Sequence, residues 1–569
     1  MDCKDMALSN SYYDIITDFP VYVLENLGLD ACFYQIENFY LVYMSENDIR
    51  NTSQYFYDYK SIPKIYGLMQ EQGMTGYDPN SLIVSGITQI QREPLSLTGQ
   101  GVIICVIDTG IDYTSPVFRD SEGNSRILAI WDQTIQEGPA PQGFYFGTEY
   151  TREEINQALQ AEDPYAIVPS RDEIGHGSIM AGVAAGSQLS GTTTYIGAAP
   201  NADIVIVKLK ECKPYLRDFY LVPAGIPAYE EGDIMLAVKY ADGFAEEFRR
   251  PVVICLGLGT NYGDHTGRAP LPRYLNLIAA KRSRAVVVCG GNEGNASHHY
   301  QGKMEELSRD GSNNIPVEVR VGGNAEGFIL EFWGNVPNLF TISIRSPGGE
   351  TIPSLRLGIQ DSITYGFVYE KTRITIAGML VEPASGEELI LMRVVEPTPG
   401  IWTFRVETPA ETINGTFHMW LPITQFLNVP VYFLESTPYI TLTEPSMAEN
   451  VISVSAYDAA NNSFYIESGR GFTRTGMVKP DFAAPGVNVN TIQGRQSGTS
   501  MSAAITAGAV AQFMQWAVVE GNNRVVASQE IKNYFIRGAS RSFDIVYPNR
   551  EWGYGRLNMV GTFDSLIGV

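Results

Sequence analysis

"GVIICVIDTGID", residues 101–112, opens with the run that decides the fold. From Val102 to Ile107 the side chains are apolar without alternation and rich in branched residues, as in a strand buried on both faces. The run ends on Asp108, a carboxylate that such a strand would not carry without a partner. "DIVIVKLK" (203–210), "PVVICLGLG" (251–259) and "AVVVCGG" (285–291) have the same character. Between two of them, "GDIMLAVKYADGFAEEF" places Ile234, Ala237, Val238, Ala241, Phe244 and Phe248 at helical spacing. Strand and helix alternating in this way predict an α/β domain, a parallel sheet with helices on both faces. Reactive groups in such sheets gather at the carboxyl ends of the strands.

The chain has 569 residues, 44% hydrophobic and 18% charged, so one large domain with smaller companions is expected. A formal charge of -23 argues against nucleic acid or an anionic membrane as a partner. No stretch reads as a membrane span. "MDCKDMALSNSYYDIITDF" lacks the basic and apolar regions of a secretory signal, so the protein is expected either to stay inside its cell or to leave by a route the sequence does not show. The six cysteines, Cys3, Cys32, Cys105, Cys212, Cys255 and Cys289, are scattered. Three of them lie in apolar runs, where a thiol acts as a small hydrophobe, and no disulfide is expected.

Two further stretches carry chemistry. "DEIGHGSIMAGVAAG" holds His176 between glycines at the start of a small-residue helix, and "QSGTSMSAAITAG" (496–508) places Ser500 at the start of another. A Ser or Thr there is also an ordinary helix cap. A serine hydroxyl becomes a nucleophile only with an imidazole to take its proton, and that imidazole needs a carboxylate to hold its tautomer. Asp108, His176 and Ser500 supply those groups, each at an element boundary. "VVVCGGNEGN" adds Asn292 just beyond a strand, where a side-chain amide can serve a developing oxyanion.

"VIDTGID", "GHGSIMAG", "GGNEGN" and "SGTSMSAAITAG" resemble the signature segments of the subtilisin-like serine peptidases, which share the chain order Asp, His, Ser. "KPDFAAPGVNV" (479–489) is similar to the family's approach to its serine, and the likeness covers about residues 81–298 and 446–562. The resemblance implies a catalytic triad of Asp108, His176 and Ser500 with Asn292 in the oxyanion hole. It also implies a substrate-binding strand at Gly257, Leu258 and Gly259, and an S1 pocket walled by the segment from Gly291 to Gly294. Ser178, Ile179 and Ala504 depart from the usual residues and bear on how the two helices pack. Protein or peptide substrates follow from the resemblance. Calcium is common in the family, yet no dense ligand loop is found here. His298 and His299 read as solvated surface rather than a zinc site.

Residues 1–80 have the length of a subtilase pro-domain, a small α+β chaperone and inhibitor, with "FYLVYMSENDI" as a strand and "SIPKIYGLMQ" as a helix. The alternative is a plain N-terminal domain. Self-cleavage is expected near Tyr77 to Ser81. The catalytic domain then spans 81–311 and 441–569, interrupted by 312–440. There Val317, Val319, Val321, Phe328, Leu330, Phe332, Phe340, Ile342, Ile344, Trp402, Phe404 and Val406 alternate, predicting an inserted all-β sandwich or jelly roll. Rigid support is its expected role, with partner docking or shading of the cleft as alternatives. A pro-domain without a signal peptide, the long segment 125–159 and the β-insertion together resemble the Csp branch of subtilases, found in clostridia and related Firmicutes. That likeness implies a pro-domain retained after cleavage and a spore-germination target, a cortex-lytic enzyme. It also leaves open an inert, pro-domain-clamped or pseudoprotease-like signalling protein.

Overall fold

The computed structural model describes every residue except 1, 20–21, 24–31, 50–60, 70, 73–77, 79, 190–194, 305–313, 356–360, 409–413 and 567–569. Its centre is a nine-stranded sheet. In spatial order the parallel strands are Phe482–Pro485, Ile452–Asp458, Arg284–Cys289, Val252–Leu256, Ile103–Asp108, Asp203–Lys208 and Ile127–Asp132, with Thr148–Thr151 antiparallel at one edge and Ser463–Phe464 antiparallel beside Ile452–Asp458. Strand Ile103–Asp108 is buried throughout, as its unbroken apolar run requires. One face is covered by helices His176–Ala185 and Thr499–Met514, the other by Glu231–Glu247 and Pro270–Ala279. Among the described residues one helix, Thr499–Val519, is apolar and long enough to cross a bilayer by length and composition, but it is mostly buried in this core.

The N-terminal unit is a three-stranded antiparallel sheet, ordered Tyr12–Thr17, Phe39–Ser45, Phe33–Ile36. Ile16, Tyr34, Ile36, Phe39, Leu41 and Tyr43 share one continuous apolar core with helix Glu231–Glu247. Each such side chain taken from water contributes about 1.5–3 kcal/mol. Inside that contact Lys213 Nζ, only 4% exposed, donates to Asp14 Oδ1 at 2.6 Å and to the Tyr12 carbonyl at 3.2 Å. Two expectations fail in this unit. Cys3 and Cys32 form a disulfide, because the sheet brings residues 29 apart in sequence together. "SIPKIYGLMQ" is not a helix: Ile65–Leu68 is a strand, paired antiparallel with Leu258–Gly259 on one side and Tyr229–Glu230 on the other.

The insertion is a sandwich of a six-stranded and a five-stranded antiparallel sheet. All twelve of the alternating apolar residues expected inward are buried in one shared core. Its edge strand His299–Met304 pairs with Gly415–Trp420, so the sandwich begins before residue 312. His298 and His299 are not solvated. His299 Nδ1–H donates to the Tyr439 carbonyl (2.6 Å), and its Nε2 accepts from His418 Nδ1–H (3.0 Å). Trp420 stacks on His299 at 4.5 Å and on His265 of the catalytic domain at 4.0 Å. Burial depresses His265 to about 4 and His299 to about 3, so these rings are neutral.

Candidate active site

The end of strand Ile103–Asp108 is locked to the start of helix His176–Ala185. Gly177 N–H donates to Thr109 Oγ1 (2.9 Å), and a Cβ on Gly177 would stand 2.2 Å from the Gly110 carbonyl oxygen. Only glycine admits this approach. Asp172 caps the helix, accepting from Gly175 N–H, Ser178 N–H and Ser178 Oγ at 2.7–2.8 Å. Ser178 Oγ also accepts from Asp112 N–H at 2.8 Å, so serine serves at this departure from the usual residue. The result is a bidentate contact: His176 Nδ1 lies 2.7 and 2.9 Å from the two Asp108 oxygens, all buried. The carboxylate can only accept, so Nδ1 carries the proton and Nε2 presents a lone pair.

Ser500 is the second residue of helix Thr499–Met514, where free N–H groups and the helix dipole favour negative charge. That helix runs unbroken through Ala504. Ser500 Oγ and His176 Nε2 are both buried, and neither has a hydrogen-bond partner among the described residues. Asn292 Oδ1 accepts from Thr499 N–H (3.0 Å) and Oγ1 (2.9 Å), which leaves its NH2 as the free end. The Ser500 N–H donates at 3.3 Å to the carbonyl of Met69, while Met69 N–H donates to the Gly257 carbonyl at 3.0 Å. Met69 thus presents its carbonyl to the Ser500 backbone; of the expected 77–81 stretch, residues 77 and 79 lie outside the described residues.

The segment expected to bind substrate, Gly257 to Gly259, carries a strand of this chain as its neighbour. Leu258 pairs with Leu68 and Gly259 with Gly67. A Cβ on Gly257 would meet His176 Cε1 at 3.0 Å, which puts imidazole and strand side by side. A Cβ on Gly259 would meet Thr443 Oγ1 at 2.3 Å and Met69 Cε at 3.0 Å, and one on Gly291 would meet Thr443 at 2.5 Å. Thr443, unnoticed in the sequence, thus packs against both Gly259 and Gly291. Gly294 does not join them: it packs against the Ser468 carbonyl and donates to the Glu467 carbonyl at 2.9 Å. Glu293 is a second residue the sequence did not single out. It binds His298 Nδ1 (2.6 Å) and accepts from Thr424 N–H (3.0 Å), tying the insertion to the residue beside Asn292. Among the described residues no three His, Cys, Asp or Glu side chains gather to hold a metal ion.

The subtilase family model matches residues 99–319 and 437–555. The solved structure of the Clostridium perfringens CspB protease is similar at 30% identity, covering 86% of this chain and 97% of that one, with a TM-score of 0.75. The prenylagaramide maturation protease PagA (12% identity, 84% and 98% covered, TM-score 0.40) and MycP1 from Mycobacterium smegmatis (14%, 87% and 88%, 0.37) are more distant. A comparison with curated proteins returned no match. With a family model covering more than half of the chain and a relative at 30% identity along nearly its whole length, the chain belongs to the subtilase family and is a serine endopeptidase.

Proposed function

We propose that this peptidase uses Asp108, His176 and Ser500 as its triad and cuts its own chain after Met69. The single observation that carries this reading is the Met69 carbonyl resting on the Ser500 N–H. Ser500 Oγ attacks that carbonyl while His176 Nε2 takes its proton, and Asp108 stabilises the imidazolium. The Ser500 N–H and the free NH2 of Asn292 hold the oxyanion. His176 then protonates the amide nitrogen of Gln70, which leaves, and water releases the Met69 acyl group by the reverse proton path.

The cut segment stays as an inhibitor. The shared core with helix Glu231–Glu247, the buried Lys213–Asp14 pair and the strand left in the cleft support retention. Extended pairing of this kind is how peptides add to a sheet edge. The resemblance to the Csp branch supports a germination setting with a cortex-lytic enzyme as the target. Wild type, Ser500→Ala and His176→Ala purified side by side test the chemistry. Wild type is recovered as two chains held together and both variants as one; a variant recovered cut at the same bond overturns the reading.

A further inference from the structure

The strand Ile65–Leu68 touches more than the catalytic domain. Its outer side is covered by a segment of the inserted sandwich, residues 421–427. Gln425 Nε2 donates to the Leu68 carbonyl in a short contact. A Cβ on Gly67 would stand 2.6 Å from Ile423 Cδ1, 3.1 Å from Gln425 Oε1 and 3.4 Å from Phe426 Cε1. Ile423 and Phe426 are both buried. The segment is also fastened. Thr424 N–H and Oγ1 donate to Glu293 at 3.0 and 3.3 Å, and Asn261 Nδ2 donates to the Leu421 carbonyl at 3.1 Å. Both anchors lie on the catalytic domain, and Glu293 follows Asn292 directly in the chain.

From this we infer that the insertion is the roof of the substrate cleft and sets substrate choice: Ile423 requires glycine two residues before the cleaved one, and Gln425 binds the backbone carbonyl in between. The inference rests on the reading that Tyr66–Met69 lies as a substrate lies. The substrate class is then an extended protein segment of the form aromatic–Gly–aliphatic–Met. Tyr66, fully buried, fills the fourth site and Met69 the first. A side chain at the glycine position would meet the buried Ile423 methyl below contact distance, and a close-packed interior yields little. Gln425 adds a donor to a carbonyl that the sheet pairing leaves unpaired, a bond of ordinary net strength.

The test uses the full chain and reads self-cleavage by mass over time. Gly67→Ala is expected to slow the cut after Met69 at least tenfold, and Gly67→Ala with Ile423→Ala to restore it to within about threefold of wild type. Structural damage from the first substitution would not be repaired by the second. Gln425→Ala, at a half-buried position that tolerates truncation, is expected to slow the cut roughly three- to tenfold. Gly67→Ala cut at the wild-type rate, or not rescued by Ile423→Ala, overturns the roof while leaving the peptidase reading intact. A wild-type chain that never cuts overturns both.

Discussion

Lys213 is the point at which removing one atom group should do most to the clamp. Among the described residues its ammonium donates to acceptors of the N-terminal unit: Asp14 Oδ1 at 2.6 Å and the Tyr12 and Met6 carbonyls at 3.2 and 3.4 Å. With Lys213 4% and Asp14 1% exposed, water does not replace the lost partner. Lys213→Met leaves the Asp14 carboxylate buried beside Glu230 and Asp233, both already pushed toward the neutral form by burial and by Asp14 itself. Breaking a buried pair from one side costs about 3–5 kcal/mol. Carried into dissociation of the cut segment, that is a complex weaker by roughly 10²-fold to several thousandfold. The assay dilutes cut protein into a fluorogenic Tyr-Gly-Leu-Met peptide and follows the onset of hydrolysis, whose rate reports release of the segment. The double replacement Asp14→Leu with Lys213→Met should recover most of the loss, because a pair exchanged for apolar groups is close to neutral. Onset in Lys213→Met at the wild-type rate, or a double variant as weak as the single, refutes this reasoning.

Three further outcomes follow from the same structure. Glu230 is raised well above the usual carboxylate range by burial and then by Asp14 and Asp233. A raised acid binds more protons in the complex than when released, so the complex weakens as pH rises above about 4.5 toward the raised value; Glu230→Gln should flatten the alkaline half of the release profile. His265 and His299 run the other way: depressed to about 4 and 3 from 6.5, they bind fewer protons folded than unfolded. Stability at the sandwich junction should therefore fall as pH drops from 6.5 toward 4, by on the order of 3 kcal/mol for His265, read as a lower melting temperature that His265→Phe blunts. Asn292→Ala should slow self-cleavage about 10²- to 10³-fold with the melting temperature little changed.

What the sequence revealed was local. Asp108 ends an apolar run, Gly175 and Gly177 flank His176, and Ser500 begins a helix of small residues, so each could be found within a dozen residues of text. Asp108 and His176 come together at the end of a strand of the parallel sheet that the four apolar runs already implied. The period-2 spacing from Val317 to Val406 likewise named the core of the sandwich. The failures share one cause, contact between distant segments. "KIYGLMQ" is a short apolar run whose periodicity does not separate helix from strand; pairing with Leu258–Gly259 and Tyr229–Glu230 decides it. Cys3 meets Cys32, and His265 meets Trp420, which also stacks on His299 and His418, only once the chain is folded. Thr443 and Gln425 look like ordinary loop residues until a strand lies across them. Gly294, inside a signature segment, turns out to pack against Ser468 instead.

The account's central claim is that Ser500 acts on the carbonyl presented to it, that of Met69. The most direct measurement is the intact mass of purified wild-type protein under denaturing conditions, beside Ser500→Ala. The expected result is two wild-type chains that together equal the whole plus one water, broken between Met69 and Gln70, and a single uncut variant chain. A break elsewhere, as within Tyr77–Ser81, contradicts the assignment of Met69, and a wild-type chain as whole as Ser500→Ala contradicts the claim itself.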